Sequence, residues 1–273
     1  MAAIAFEAIV ANALRRETHA RLRRRLKQAV WGALAIAVLW FTASQIKLSP
    51  VAVWYCIPFM WDFLTRLFPP DLSYLPLLGT ATVETIQIAI WGTLLAVIFS
   101  IPLALLGARN TTPHIVVFHV TRLFLNALRA INELVFALIF VSAVGLGPFA
   151  GVLAIALHAT GMLAKFCAEE VEGVDRGQIE AQMATGSSRL QVILFGVIPQ
   201  VVPSFIGYAI YRLDVSIRSA TVLGLVGAGG LGFSLIQTMK LFKYHQTATC
   251  ILVIFVLVLV SDWICERLRS KVI

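Results

Sequence analysis

The chain has 273 residues, of which 59% are hydrophobic and only 13% are charged, and its formal net charge at pH 7 is +8. Soluble domains average about 45–50% apolar and about 25% charged residues. The mean hydropathy of +0.88 therefore argues against a soluble enzyme and against a disordered chain. The 4 cysteines have no CxxC spacing, which excludes a disulfide scaffold and argues against a zinc site. Whether Cys56 and Cys250 are paired stays open.

The apolar residues fall in long runs. A helix needs about 20 mostly apolar residues to cross about 30 Å of hydrocarbon. We predict an all-α integral membrane protein with six transmembrane helices. Their approximate bounds, in chain order, are 30–46, 81–106, 130–144, 149–166, 201–225 and 247–265. The first run is longer than a signal-peptide core of about 7–15 residues, and no A-x-A-like site follows it, so we treat it as an uncleaved span.

The basic residues predict the orientation of these spans. Seven of the 22 Lys and Arg lie between Arg15 and Lys27, directly before the first span. This placement marks a cytoplasmic segment and does not call for nucleic acid as a partner. Three more basic residues follow the sixth span, so both termini are expected in the cytoplasm. We therefore predict a basic cytoplasmic tail, 1–28, and a six-span domain, 29–273, surrounded by lipid of the cell inner membrane.

The connection after the first span is long and aromatic, with Trp54, Tyr55 and Trp61 among its residues. Such side chains favour the membrane interface. The pattern favours an interfacial helix on the outer surface, and docking of an outside partner is the alternative.

A second long connection, between the fourth and fifth spans, has a helix–turn–helix pattern. Residues 179–184 are mostly good helix formers, and Gly186 permits a reversal with positive φ. Ser187 or Ser188 can cap a second short helix, which we expect Pro199 to end. The apolar residues spaced to form one face of that helix are Leu190, Ile193 and Leu194.

The spacing of this connection resembles a known motif. Glu180-Ala181, with Gly186 six residues after Glu180 and Pro199 thirteen after Gly186, is similar to the EAA loop of permease subunits of binding-protein-dependent ABC importers. The resemblance implies a coupling loop, 167–200, that docks on an ATPase subunit. The residues that it assigns to coupling are Glu180, Ala181, Gly186, Ser188, Leu190 and Pro199.

Other segments are similar to the phosphonate branch of that family, and they cover roughly residues 75–273. These segments are 85–92, 129–133, 144–151, 211–212, 217–222 and 227–232. The resemblance implies a type I ABC importer permease that carries a phosphonate, phosphite or hypophosphite. It also implies a homodimer with two ATPase subunits, which bind the ATP and Mg, and an extracytoplasmic binding protein. This chain itself would need no cofactor and no metal.

One motif points elsewhere and is rejected. The segment from Gly227 to Gly232 matches G-x-G-x-x-G, but its flanks are membrane spans and no acidic residue lies between Asp214 and Asp262. A dinucleotide-binding fingerprint needs both a strand before it and an acid about 20 residues on. The glycines are instead candidates for a gate that breaks the fifth span, with a nest of N–H groups facing an anion or a plain turn as alternatives. They are Gly227, Gly229, Gly230 and Gly232.

Charged side chains inside the spans are candidates for the translocation pathway, because such groups usually face a cavity or a partner. Asp214 and Arg218 are spaced to pair at i, i+4, as are Arg129 and Glu133. Alternatively, Arg218 lines a polar path for an oxyanion, since a guanidinium presents several donors. The full set of pathway candidates is Arg218, Asp214, Arg212, Arg129, Asn132, Glu133 and His158.

These observations favour a transport subunit that performs no bond chemistry. No P-loop motif occurs in the sequence, so ATP hydrolysis would belong to a separate chain. The alternative function is a secondary carrier or channel that moves an anion on its own. An intramembrane enzyme is disfavoured, because no catalytic grouping of Ser, His and carboxylate residues is apparent.

Overall fold

The computed structural model describes residue 24 and residues 27–46 and 50–271, and the regular secondary structure in this part of the chain is entirely helical. The chain divides into two compact units, 1–65 and 66–273. In the first unit, α1 (Lys27–Gln45) is long and apolar enough to cross a membrane. The predicted basic tail before Arg24 lies outside the described residues.

A second helix, α2 (Pro50–Leu67), follows α1 and carries the aromatic residues of the long connection. The second unit contains the remaining helices. These are α3 (Leu75–Gly107), α4 (Ile115–Ala130), α5 (Glu133–Val144), α6 (Pro148–Glu172), α7 (Arg176–Ala184), α8 (Arg189–Gln191), α9 (Ile198–Leu223), α10 (Gly230–Lys240) and α11 (Tyr244–Arg269). Shorter helical turns join several of them.

The core of the second unit forms where α3 and α9 pack against α6. Small residues allow the close approach: Gly92 of α3 faces Ile155 of α6, and Gly161 of α6 faces Leu128 of α4. The buried cluster at this crossing also contains Ile88 and residues of α5 and α9. Helices in lipid gain little from hydrophobic burial, so close van der Waals packing through small residues is what holds them together.

Among the described residues, five helices or helical runs are long and apolar enough to cross a membrane, and a sixth is obtained only if α4 and α5 are counted together. The predicted third span, 130–144, is the exception. Its helix α5 has only 12 residues, which is about 18 Å of rise and too short for the hydrocarbon layer. It follows α4 after a bend of 88°. The sequence prediction treated α4 as part of a connection, so this helix was missed.

The bend between α4 and α5 has a local cause. Ile131 and Asn132 have extended backbone conformations, which interrupt the helix. The Asn132 side chain then accepts a hydrogen bond from the Leu134 N–H at 2.9 Å and caps the new helix. Asn132 is therefore an N-cap at the start of α5.

The connection before α3 is fixed to the start of α11. The Asp71 N–H donates to the His245 carbonyl at 3.2 Å, and the Thr249 hydroxyl donates to the Asp71 carbonyl at 2.9 Å. A hydrogen bond from the Ser73 side chain lowers the pKa of the Asp71 carboxyl. These contacts fix where the first residues of the second unit lie relative to α11.

Two glycines of α3 make the packing argument testable. A Cβ atom at Gly92 would lie 2.8 Å from Ile155 Cβ, whereas a Cβ atom at Gly79 would meet nothing within 4 Å. We expect Gly92→Ala to lower the free energy of unfolding by about 1–3 kcal/mol through overpacking. Gly79→Ala is the matched control and should raise it by about 0.5–1 kcal/mol, because alanine favours the helix. Thermal unfolding of the purified protein in detergent measures both, and equal effects would contradict the packing.

Candidate functional site

The candidate coupling site is the bracket, which we define as residues 167–200. Its first helix, α7, begins after a break at Gly173 and is capped by Asp175, whose carboxylate accepts from the Gly177 N–H at 2.9 Å. Glu180 and Ala181 lie in the middle of α7 and are exposed. This helix therefore presents the two motif residues on the surface.

The turn of the bracket has the predicted geometry. Gly186 has φ of +78°, a conformation that costs any residue with a Cβ atom about 1–2 kcal/mol. Its N–H donates to the Met183 carbonyl at 3.0 Å. Ser188 then caps α8 in a capping box with Gln191, which accepts from the Ser188 N–H at 2.8 Å. The expected cap is therefore confirmed at Ser188.

The prediction that Pro199 ends the second helix is wrong. After α8 the chain forms a π-helical turn, Val192–Val197, and passes directly into α9. Pro199 lies in the first turn of α9, where a residue without an N–H is tolerated. The bracket is thus joined to the long membrane helix by one unbroken helical run.

The apolar face predicted on the second helix is largely unpacked. Leu190 is 66% exposed and Phe195 is 65% exposed, and Leu194 and Met183 are also exposed. Ile193 is half-buried. An exposed cluster of large apolar side chains beside polar residues is typical of a protein–protein contact.

The bracket also lines a groove of about 760 Å³, and Glu180 and Met183 are among its lining residues. Arg189 is another lining residue and donates to the Thr112 carbonyl at 2.6 Å, which ties the turn to the α3–α4 connection. At the end of α6, Glu172 pairs with Arg122 at 3.0 Å and accepts from the Arg109 N–H at 2.9 Å. The bracket is therefore braced against α4 and against the connection that precedes it.

The intramembrane charges form two clusters, and the first joins α5 to α9. Glu133 pairs with Arg212 at 3.0 Å and also accepts a hydrogen bond from Ser219. Arg212 is only 2% exposed, and its Nε has no partner among the described residues. A buried pair of this kind tolerates no loss of one partner, because the other charge would remain without compensation.

The expected pairing of Arg129 with Glu133 is wrong. The helix breaks between these residues, so the i, i+4 relation does not hold. The Arg129 guanidinium instead lies 5.8 Å from the centre of the Phe166 ring. His158, one of the predicted pathway candidates, has its Nδ1 3.1 Å from the Ile131 carbonyl oxygen and so contacts the bend between α4 and α5.

The second charged cluster joins α9 to α11. Arg218 pairs with Asp214, as predicted, and also lies 3.5 Å from Asp262. The side chains of Arg218 and Asp262 are 50% and 45% exposed, and they line a cavity of about 210 Å³. Since exposed charges are costly in hydrocarbon, this face needs water or protein beside it.

The glycine segment breaks the helical run after α9. Gly227, Gly229 and Gly230 have φ of +95°, +82° and +69°. The segment is buried: a Cβ atom at Gly230 would lie 2.5 Å from Thr85 Oγ1. The Leu231 N–H donates to the Thr85 hydroxyl at 2.9 Å, so this N–H is not available to an anion. Gly232 packs against the Thr221 carbonyl.

Sequence reasoning missed several residues of these sites. Arg189 and Gln200 gave no signal because their partners are backbone groups of distant segments. Asp262 had a usable signal, since a polar residue in an apolar run usually meets another polar group. The four cysteines are free thiols.

Comparison with known proteins identifies the class to which this fold belongs. The chain belongs to the family described as "Binding-protein-dependent transport system inner membrane component", whose model matches residues 100–273. It is therefore the permease component of an ABC importer, an inner-membrane transport subunit that is not itself catalytic. The predicted family and the predicted type I permease fold are both confirmed.

Its relatives include permeases named for phosphite. The chain is 40% identical over 254 residues to a putative phosphite transport system permease protein, HtxC, of Stutzerimonas stutzeri, covering 93% of this chain and 89% of the relative. It is 45% identical over 214 residues to the phosphite transport system permease protein PtxC of the same organism, covering 78% of each. A solved structure of the MetNI methionine ABC transporter in an inward facing conformation has a chain with 19% identity and a TM-score of 0.63, covering 74% of this chain and 99% of that chain. This last likeness concerns the fold.

The buried pair gives a direct test of the first cluster. We expect Arg212→Met to lower the free energy of unfolding by about 3–5 kcal/mol, because Glu133 then remains buried without its counter-charge. Adding Glu133→Gln to that variant should recover part of the loss. Arg129→Gln is the control, and it should cost no more than about 1 kcal/mol, the value of an exposed cation–π contact. Chemical unfolding in detergent measures all four proteins, and a double variant no more stable than Arg212→Met would contradict the pairing.

Proposed function

We propose that this chain is the transmembrane permease subunit of an ATP-driven importer for a phosphorus oxyanion, namely a phosphonate, phosphite or hypophosphite. The relatives named for phosphite transport support the substrate class. The observation that carries the mechanism is the bracket. It exposes large apolar side chains, and its second helix continues through one helical run into α9. A chain that moved solute without a motor would have no use for such a surface.

In this proposal the bracket docks on a separate ATPase subunit, which binds the ATP and Mg. Glu180 and Ala181 on α7 and Leu190 on α8 form part of the docking surface, and Gly186 and Ser188 fix the angle between the two helices. Pro199 lies in the first turn of α9 and fixes the backbone where the bracket passes into that helix. Closure of two ATPase subunits would then move two brackets and switch the pore between its two states.

We further propose that the permease works as a homodimer whose pore lies beside α9. The half-exposed Arg218 and Asp262 support this, because a second copy or a water-filled path would relieve their exposure to lipid. Arg218 and Asp214 would then line the pathway. Arg212, Glu133, Asn132 and His158 are already engaged in contacts between helices or in capping, so they are better suited to holding the bundle. The glycine segment would act as the gate.

The orientation follows from the same proposal. The bracket must face the cytoplasm to reach an ATPase, and the basic tail before α1 favours the same side. Both termini would then be cytoplasmic, and the substrate-binding protein would approach the opposite face. Lipid surrounds the remaining apolar surface.

Transport by the purified complex tests the function. We expect liposomes that contain the permease and its ATPase, with the binding protein outside, to accumulate phosphite, hypophosphite or methylphosphonate. This accumulation should occur only when ATP is enclosed in the liposomes, on the side of the membrane where the ATPase lies. Phosphate serves as the comparison substrate. Uptake that proceeds equally without the ATPase would support the alternative, a carrier or channel acting alone.

Gly186 provides a test of the coupling assignment. We expect Gly186→Val to reduce uptake at least tenfold, because a β-branched residue is strained at a φ of +78° and the bracket would change its angle. Glu180→Lys should also reduce uptake by reversing a charge on the docking surface. Gly177→Ala is the control, since its added Cβ atom would make only ordinary contacts. Normal uptake and normal ATPase binding in both Gly186→Val and Glu180→Lys would remove the bracket from the mechanism.

A further inference from the structure

The side chain of Gln200 makes two hydrogen bonds to two different parts of the bracket. Its Nε2 donates to the Gly196 carbonyl at 2.6 Å. Its Oε1 accepts from the Asp175 N–H at 3.1 Å. Both ends of one amide are therefore occupied by backbone groups, and the side chain is half-buried.

The two partners lie at opposite ends of the bracket. Asp175 is the N-cap of α7, and its own carboxylate is already used to cap that helix. Gly196 lies in the π-helical turn that leads into α9. Since Asp175 and Gln200 are 25 residues apart in the chain, this side chain closes the bracket into a loop.

The bracket needs such a closure if it is to transmit a displacement. Along the chain, α7 reaches α9 only through the turn at Gly186, where a Cβ atom would meet nothing within 4 Å, and through the π-helical turn. Both are places where a helical path can bend. Ile179 packs against the apolar cluster below α7, but an apolar contact permits sliding, whereas two directed hydrogen bonds fix distance and angle.

We propose that Gln200 is a positioning residue that clips the start of α7 to the base of α9, so that a displacement of α7 moves α9 instead of bending the turn at Gly186. The inference rests on the proposed function, since it assumes that an ATPase moves α7. Gln200 is half-buried and is not one of the residues assigned above to the docking surface or to the pathway. Its effect is on the ratio of transport to ATP hydrolysis.

Two variants separate the clip from general stability. Gln200→Leu removes both hydrogen bonds at similar volume, and Gln200→Glu keeps an acceptor for the Asp175 N–H but removes the donor to the Gly196 carbonyl. Gln237→Leu is the matched control, because Gln237 is an exposed glutamine of α10, away from the bracket. Each is purified as the complex with its ATPase and binding protein, and its unfolding temperature is compared with that of the unaltered complex.

Two measurements then test the proposal. Hydrogen–deuterium exchange of the peptide that contains Asp175 should be about fivefold faster in Gln200→Leu, in line with the loss of one hydrogen bond, and close to normal in Gln200→Glu. Phosphite uptake per ATP hydrolysed, in liposomes, should fall about fivefold or more in Gln200→Leu and by an intermediate amount in Gln200→Glu. ATP hydrolysis itself should continue in both, and Gln237→Leu should match the unaltered complex.

The outcomes are distinguishable. If the unaltered complex couples uptake to ATP and both Gln200 variants couple it equally well, the clip is wrong and the proposed function stands. If the unaltered complex shows no ATP-dependent uptake, the proposed function fails and the clip fails with it. If Gln200→Leu does not fold, unchanged coupling in Gln200→Glu still overturns the proposal.

Discussion

A charge buried among apolar helices must be neutralised where it lies, and the Arg212–Glu133 pair meets that requirement between α9 and α5. The pair, with Ser219, fixes the rotation of α9 about its own axis, because Arg212 can reach Glu133 from one face only. Every other feature of the candidate site depends on that helix. It begins at the bracket, carries Asp214 and Arg218 on its length, and ends at the glycine segment.

The bracket, the charged residues and the glycine segment therefore follow one another along the length of α9 and its two ends. At one end, the π-helical turn and Gln200 join α9 to the rest of the bracket; at the other, glycines in left-handed conformations pack against α3. Between them, the half-exposed Arg218 faces α11. A helix held by a buried ion pair is able to transmit a small displacement from one end to the other, since packed interfaces switch between discrete arrangements. This arrangement explains how a chain without ATP chemistry could be driven by one that has it.

The sequence was informative where the signal was local. Long apolar runs identified α1, α3, α6 and α11, and the residues from Glu180 to Ser188 identified the bracket, its turn and its cap. It was misleading where two local rules competed. Pro199 looked like a helix end, but a proline in a first helical turn lets α9 begin there. The pairing of Arg129 with Glu133 assumed an unbroken helix that Asn132 in fact interrupts. Contacts between distant segments, such as those of Glu133 and Gln200, had no local signal at all.

The central claim is that this bundle opens only when an attached ATPase moves the bracket. The most direct measurement is phosphite uptake into liposomes by the complex with an active ATPase, compared with the same complex whose ATPase binds ATP but cannot hydrolyse it. We predict concentrative uptake in the first case and none above background in the second. Equal, concentrative uptake in both would mean that the chain draws on another energy source, and the coupling role of the bracket would then be contradicted.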